Sequence, residues 1–270
     1  MAGVVKAAIV IPFYREELSD FEKISLLQCE RVLSAYPKIA IKPGSLTLPP
    51  EALALSHLST VSFNDEYFKD VRGYNRLMLS EIFYKSFSEY EYILIHQLDA
   101  FVFKDELDYW CAQDYDYIGA PWLNPKAHSN ILSTLLHRLK NYRHVRYNVK
   151  DKHGVSKVQQ LENRVGNGGF SLRRVDLFAK YCSEFKSLID AYVAGEGSWF
   201  NEDIFWSIEL NRKKKRLKIP AFKKSLLFAI ETHPARALRL NHDQLPFGCH
   251  AWDKHIDFWR PFFERLGYTI

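Results

Sequence analysis

Tyr92-Ile-Leu-Ile-His-Gln-Leu-Asp-Ala-Phe-Val-Phe103 is an apolar run that ends in a short polar cluster, Gln97 and Asp99, and then turns apolar again. A buried strand that delivers one carboxylate at its carboxyl end is how open α/β sheets place ligand-binding groups. Upstream, the β-branched run from Val4 to Tyr14, stopped by Pro12, reads as a buried first strand. Arg15 to Tyr36 has helical periodicity, with Phe21, Ile24, Leu27, Val32 and Tyr36 broadly on one face. Ile39–Ile41 and Val61–Phe63 are short strand candidates. Asn64 to Asp70 carries helix start signals, and helical spacing continues through Leu77, Met78, Ile82, Phe83 and Phe87. The alternation of strand and helix predicts an α/β domain with a largely parallel sheet flanked by helices.

Downstream, Asp116 to Trp122 reads as a short strand closed by Pro121, and Asp176 to about Val193 as a helix. Between them, residues 126–161 hold four of the ten histidines, many basic residues and weak periodicity, and read as an insertion or mobile segment. No repeat, low-complexity tract or linker divides the chain, so residues 1–270 are expected to form one domain.

Bulk composition narrows the class. The 270 residues can bury a substantial core. Hydrophobic residues at 47% and charged residues at 26% are ordinary for a globular protein, while aromatics reach 15%. A net charge of +5 is compatible with a polyanionic ligand or an anionic membrane surface. Cys29, Cys111, Cys182 and Cys249 show no CxxC spacing, which predicts free thiols in a reducing compartment. With no charged-then-apolar leader, and no run near the roughly 20 apolar residues of a membrane span, the expectation is a cytoplasmic protein, in peripheral contact with an anionic membrane at its inner face.

Four features could carry chemistry. Asp99 is either a turn cap or an anchor for Mg²⁺ or Mn²⁺, which take one or two protein carboxylates beside substrate phosphates. Gly166-Asn-Gly-Gly169 is either a structural turn or a ligand-facing loop whose glycines open unusual backbone conformations and close approach. It has neither the dinucleotide nor the P-loop spacing. Glu202 and Asp203 follow Asn201, a candidate N-cap; they sit in a helix's first turn, where one could also serve as a general base. His250, in Phe247-Gly-Cys-His-Ala-Trp252, is either structural or a neutral imidazole ligand to a metal. The basic run Arg212–Arg216, continued by Lys218, Lys223 and Lys224, is a solvated surface or an attraction for anionic lipid or pyrophosphate. Nothing in it resembles a nucleic-acid module, and no nucleic-acid partner is expected.

Taken in order, Gly73-Tyr-Asn-Arg-Leu77, Tyr92 to Phe101, Tyr117 to Trp122, Gly166-Asn-Gly-Gly-Phe-Ser-Leu-Arg173, Asn201-Glu-Asp203 and Pro246-Phe-Gly-Cys-His250 resemble an uncharacterised glycosyltransferase family. That family has a GT-A-like, Rossmann-like fold and is often associated with bacterial surface-polysaccharide synthesis. The resemblance implies a nucleotide-sugar donor and a saccharide or lipid-linked acceptor. It assigns donor binding to Pro12, Tyr14, Tyr74, Asn75, Gln97, Gly168 and Gly169, and a divalent metal to Asp99 and His250. The family's Asp-x-Asp motif stands here as Gln97-Leu98-Asp99, so only Asp99 aligns with the metal ligand. The acidic pair, Asp203 before Glu202, is implied as the catalytic base of an inverting transfer. Other uses of the same parts would be a metal-dependent nucleotidyltransferase, a sugar-nucleotide hydrolase, or a non-catalytic carbohydrate- or lipid-binding module.

Overall fold

The computed structural model describes residues 5–124, 130–195 and 197–270. Its strands are, in chain order, β1 (Val5–Pro12), β2 (Lys38–Pro43), β3 (Leu58–Phe63), β4 (Tyr90–His96), β5 (Phe101–Val102), β6 (Tyr117–Gly119), β7 (Pro121–Trp122), β8 (Arg164–Val165), β9 (Phe170–Arg174), β10 (Ala229–Ile230) and β11 (Gly248–Cys249). The main sheet runs β3-β2-β1-β4-β9-β6. Its first four strands are parallel, with Val10 opposite both Ile39 and Ile95. β9 is antiparallel to β4 and to β6. The result is the expected α/β domain, with a mixed, mostly parallel sheet flanked by helices.

Alternation along the strands divides the core in two. Ala7, Ile9, Ile11, Tyr92, Leu94 and Leu172 face one layer. Ala8, Val10, Ile93, Ile95 and Tyr117 face the other, against Leu77, Phe83, Phe178 and Trp206. A small sheet, β10-β11-β5, continues beyond the end of β4 and rests on Phe101, Trp252, Trp259 and Phe263.

Several elements are shorter than their periodicity suggests, and capping explains why. Ser19 and Glu22 form a reciprocal capping box, so the first helix begins at Asp20, not Arg15, and ends at Val32. The apolar spacing from Asn64 to Phe87 is carried by three short pieces, each opened by its own cap: Asn64, Asp70 and Ser80. The helix expected from Asp176 to Val193 is two, Val175–Glu184 and Lys186–Val193, meeting at Phe185. Within the segment 126–161, residues 126–129 lie outside the described residues, and a helix occupies Ile131–Arg146.

β9 is the strand that the pattern did not reveal. Its Phe-Ser-Leu-Arg-Arg sequence places Arg173, with no solvent exposure, inside the sheet. Because β9 runs against β4, His96 pairs with Phe170, and the start of β9 lies beside the carboxyl end of β4. The Gly-rich turn is thereby delivered next to Asp99. Gly119 of β6 closes the other side of this arrangement. A Cβ there would fall within contact distance of the Asn167 carbonyl, a backbone atom that cannot move aside cheaply. Gly119→Ala is therefore expected to destabilise the protein by about 1–3 kcal/mol, read as a lower urea midpoint at unchanged slope.

Candidate functional site

A cleft of about 640 Å³ opens at the carboxyl ends of β1 and β4. Its walls include Tyr14, Tyr74, Asn75, Gln97, Asp99, Gly168, Gly169, Glu202, Asp203 and His250, residues from six separate stretches of chain. Of the residues implicated from sequence, Pro12 alone does not line it; it is buried at the end of β1, in register with Ile41.

At one end, Tyr14 meets Phe68 and Tyr74 edge-on, with ring centroids 5.9 and 5.8 Å apart. Tyr14 is 45% exposed, so this aromatic corner presents ring surface to the cleft. Such surface suits a planar base or a sugar face. Asn75 serves the wall itself: its amide donates to Asn201 Oδ1 at 3.2 Å, and its oxygen accepts from the Glu202 backbone N–H at 3.0 Å. Asn201 occupies the N-cap position anticipated for it, but its side chain caps nothing; Asn75 performs that task from another helix.

In the middle, His250 Nε2 lies 3.1 Å from Asp99 Oδ1 and 3.2 Å from Gln97 Oε1. Its Nδ1 lies 3.3 Å from Glu231 Oε1. Both ring nitrogens thus face acceptors, the arrangement of an imidazolium. Burial opposes that charge, but Asp99 and Glu231 outweigh it and push His250 up to about 10. Burial likewise works against the Asp99 carboxylate, and His250 more than compensates, holding it below its usual range.

These groups bear on a divalent ion. Among the described residues, no three His, Cys, Asp or Glu side chains form a protein-only metal centre. Asp99 Oδ1 and His250 Nε2 lie side by side, and once the imidazolium gives up its Nε2 proton they offer one oxygen and one nitrogen donor. They fit an ion whose remaining ligands come from water and a bound diphosphate. They do not fit a closed structural site.

At the far end, the acidic pair separates into two environments. Glu202 accepts from Arg173 Nη1 at 2.9 Å and Nη2 at 2.8 Å, a buried bidentate pair. Arg173 also donates to Ser171 Oγ, Tyr84 Oη and the Gly168 carbonyl. Asp203 has no cation at ion-pair distance among the described residues; one of its oxygens accepts from the adjacent Ile204 N–H at 2.7 Å. Burial, then the neighbouring Glu202 and Glu231 carboxylates, push Asp203 up to about 8.

The Gly-rich turn works through space and not through unusual dihedrals. None of Gly166, Gly168 or Gly169 has positive φ. A Cβ on Gly168 would meet Glu202, and one on Gly169 would meet His250 and Gln97. Asn167 locks the turn: its oxygen accepts from Gly169 N at 3.0 Å, and its amide donates to Glu231 Oε1 at 2.9 Å. Sequence reasoning missed Glu231, Arg173, Lys254 and the role of Asn167. Glu231 could have been found, because it follows the apolar run Leu226–Ile230 as Asp99 follows its own strand.

The sequence profile of a family described as "Protein of unknown function (DUF5672)" matches residues 57–250, most of the chain. No curated protein matches by sequence. Among solved structures, core-mannan synthase A (CmsA/Ktr4) from Aspergillus fumigatus, in a form with Mn and GDP, aligns at a TM-score of 0.54 and 15% identity, covering 81% of this chain and 73% of that one. The galactosyltransferase LgtC, in complex with donor and acceptor sugar analogues, aligns at 0.53 and 12%, covering 90% and 86%. Mouse xyloside xylosyltransferase 1 aligns at 0.51 and 10%, covering 91% and 97%. At such identities the likeness establishes the fold: this is the GT-A type of α/β domain.

The buried ion pair gives the first test of the site. Arg173→Met would leave the buried Glu202 side chain without its partner, costing about 3–5 kcal/mol, whereas adding Glu202→Leu would recover much of that loss. Chemical denaturation of both variants checks the order.

Proposed function

The chain belongs to the DUF5672 family of proteins of unknown function, and on that premise we propose that it is a glycosyltransferase. It moves a sugar from a nucleotide-diphosphate donor to a hydroxyl of a saccharide or lipid-linked acceptor. The observation that carries the proposal is the single cleft in which an aromatic corner, the Asp99–His250 pair and an unpaired acid succeed one another. The fold adds support, since core-mannan synthase A was solved with Mn and GDP and LgtC with donor and acceptor analogues.

In this reading the aromatic corner of Tyr14, Phe68 and Tyr74 seats the nucleoside, with Gln97 and the Gly168–Gly169 backbone nearby for polar contacts. The diphosphate faces a difficulty: the cleft walls carry Asp70, Asp99, Glu202, Asp203 and Glu231 against His250 and Lys254. A bound anion there requires added positive charge. A divalent ion, Mn²⁺ or Mg²⁺, held by Asp99 and His250, would supply it and stabilise the departing diphosphate. Lys254 adds an exposed cation at the rim.

Asp203 is the base. Both oxygens of Glu202 are occupied by Arg173, whereas Asp203 has raised proton affinity and no cation at ion-pair distance among the described residues. It takes the acceptor proton as the acceptor oxygen bonds to the anomeric carbon and the bond to the diphosphate oxygen breaks. One displacement of this kind inverts the anomeric centre.

Asp203→Asn is expected to lower kcat by about 10²–10⁴-fold with donor affinity retained. A base must be deprotonated to act, so wild-type kcat/KM should rise with pH at roughly tenfold per unit below about 8 and then level off. Product NMR should show the inverted anomer. A retained anomer, or a variant of unchanged rate, would remove Asp203 from this role.

A further inference from the structure

Helix Ile131–Arg146 turns its leucines outward. Asn141 is buried, and His137, Thr134 and Val145 are partly buried around it, so this face rests on the protein. The opposite face carries Leu132, Leu135, Leu136, Leu139 and Tyr142, each more than half exposed. A stripe of this size facing water on a helix is a docking surface in search of an apolar partner.

Charge identifies the partner. The helix has Arg138, Lys140, Arg143 and Arg146 and no acidic residue. Arg138 and Lys140 flank the leucine stripe on either side, and Arg143 and Arg146 follow at its carboxyl end. The basic run is tied to the same place: Arg146 Nη1 donates to the Lys213 carbonyl at 3.2 Å, and Arg212 donates to the Val145 carbonyl. Lys213, Lys214 and Lys215 are all exposed there. A second copy of the chain would bring like charge against like, whereas an anionic bilayer offers apolar depth beneath a negative surface.

A cavity of about 550 Å³ beside the helix continues the pattern, with Arg138, Arg164 and Lys215 on its walls. Arg164 has no carboxylate partner among the described residues, and burial alone lowers its proton affinity. The one acid there, Glu162, is engaged by His137 at 2.6 Å and Asn124 at 2.9 Å.

We infer that the protein docks on an anionic membrane through this helix, with Leu135, Leu136 and Leu139 entering the interface, the lysine run lying over the headgroups, and the Arg164 cavity taking a lipid phosphate. No helix among the described residues is long and apolar enough to cross a membrane, so the contact is superficial. The inference stands whether or not the cleft transfers sugar.

Flotation with vesicles of phosphatidylcholine, alone or mixed with phosphatidylglycerol, tests it. The wild type should float with the mixed vesicles only, and less at high salt. A Leu135→Ser, Leu136→Ser, Leu139→Ser variant should lose binding by roughly tenfold or more, because these side chains supply the apolar insertion. Lys213→Ser, Lys214→Ser, Lys215→Ser and, separately, Arg164→Gln should each weaken it severalfold. Leu53→Ser, an exposed leucine elsewhere, should change nothing. An environment-sensitive dye on Leu139→Cys, in a chain whose own four cysteines are buried, should shift to the blue on the mixed vesicles. Absence of binding to either vesicle, or self-association abolished by the triple leucine variant, would overturn the inference.

Discussion

A guanidinium with no access to water must have its charge met inside the protein, and Arg173 meets this demand by drawing four parts of the fold together. It reaches Glu202 beyond helix Lys186–Val193, Tyr84 from the first half, Ser171 on its own strand and the Gly168 carbonyl in the turn before it. Glu202 and Gly168 border the cleft, and Ser171 donates to the Gly168 carbonyl. The geometry of the turn is consequently set by an ion pair behind it. Glycine is required at positions 168 and 169 because Glu202, His250 and Gln97 already occupy the space of a side chain.

The same pair gives two adjacent acids different characters. Glu202 takes two hydrogen bonds from Arg173, while Asp203, one residue further, receives the unfavourable field of Glu202 and Glu231 with no cation at ion-pair distance among the described residues. Spacing could not distinguish them; the environment does. Across the cleft, His250 bridges two acids, holding Asp99 below its usual range from one nitrogen and facing Glu231 with the other. The cleft is thus a ring of carboxylates whose charges are individually managed, a setting into which an anionic ligand enters only with a cation.

Much of this was legible in the chain. The strand through Ile95 and the carboxylate that follows it carry their signal in local sequence, because a fully buried parallel strand must be apolar throughout and a lone Asp at its end must have a purpose. The parallel half of the sheet follows the same logic, whereas the grouping of Tyr14, Asp99, the Gly-rich turn and His250 was implied only by the resemblance of the ordered motifs. β9 was hidden, since an arginine within a strand argues for a surface until its buried partner is known, and Glu202 lies 29 residues away. Helix lengths were overread where Asn64, Asp70 and Ser80 restart the chain inside one apolar rhythm. Glu231 follows an apolar run as Asp99 does, but its contact with Asn167, 64 residues apart, is encoded in no periodicity. The outward leucines of Ile131–Arg146 lay in a segment whose rhythm is blurred by histidine and arginine on both faces.

The claim that the cleft is a nucleotide-donor site rests most heavily on Asp99, and calorimetry addresses it directly. Nucleoside diphosphates and nucleotide sugars would be titrated into wild type and Asp99→Ala, each with and without Mn²⁺. Binding to the wild type should depend on Mn²⁺ and be lost in the variant, with one base preferred. Wild-type protein that binds none of them in either condition would contradict the claim.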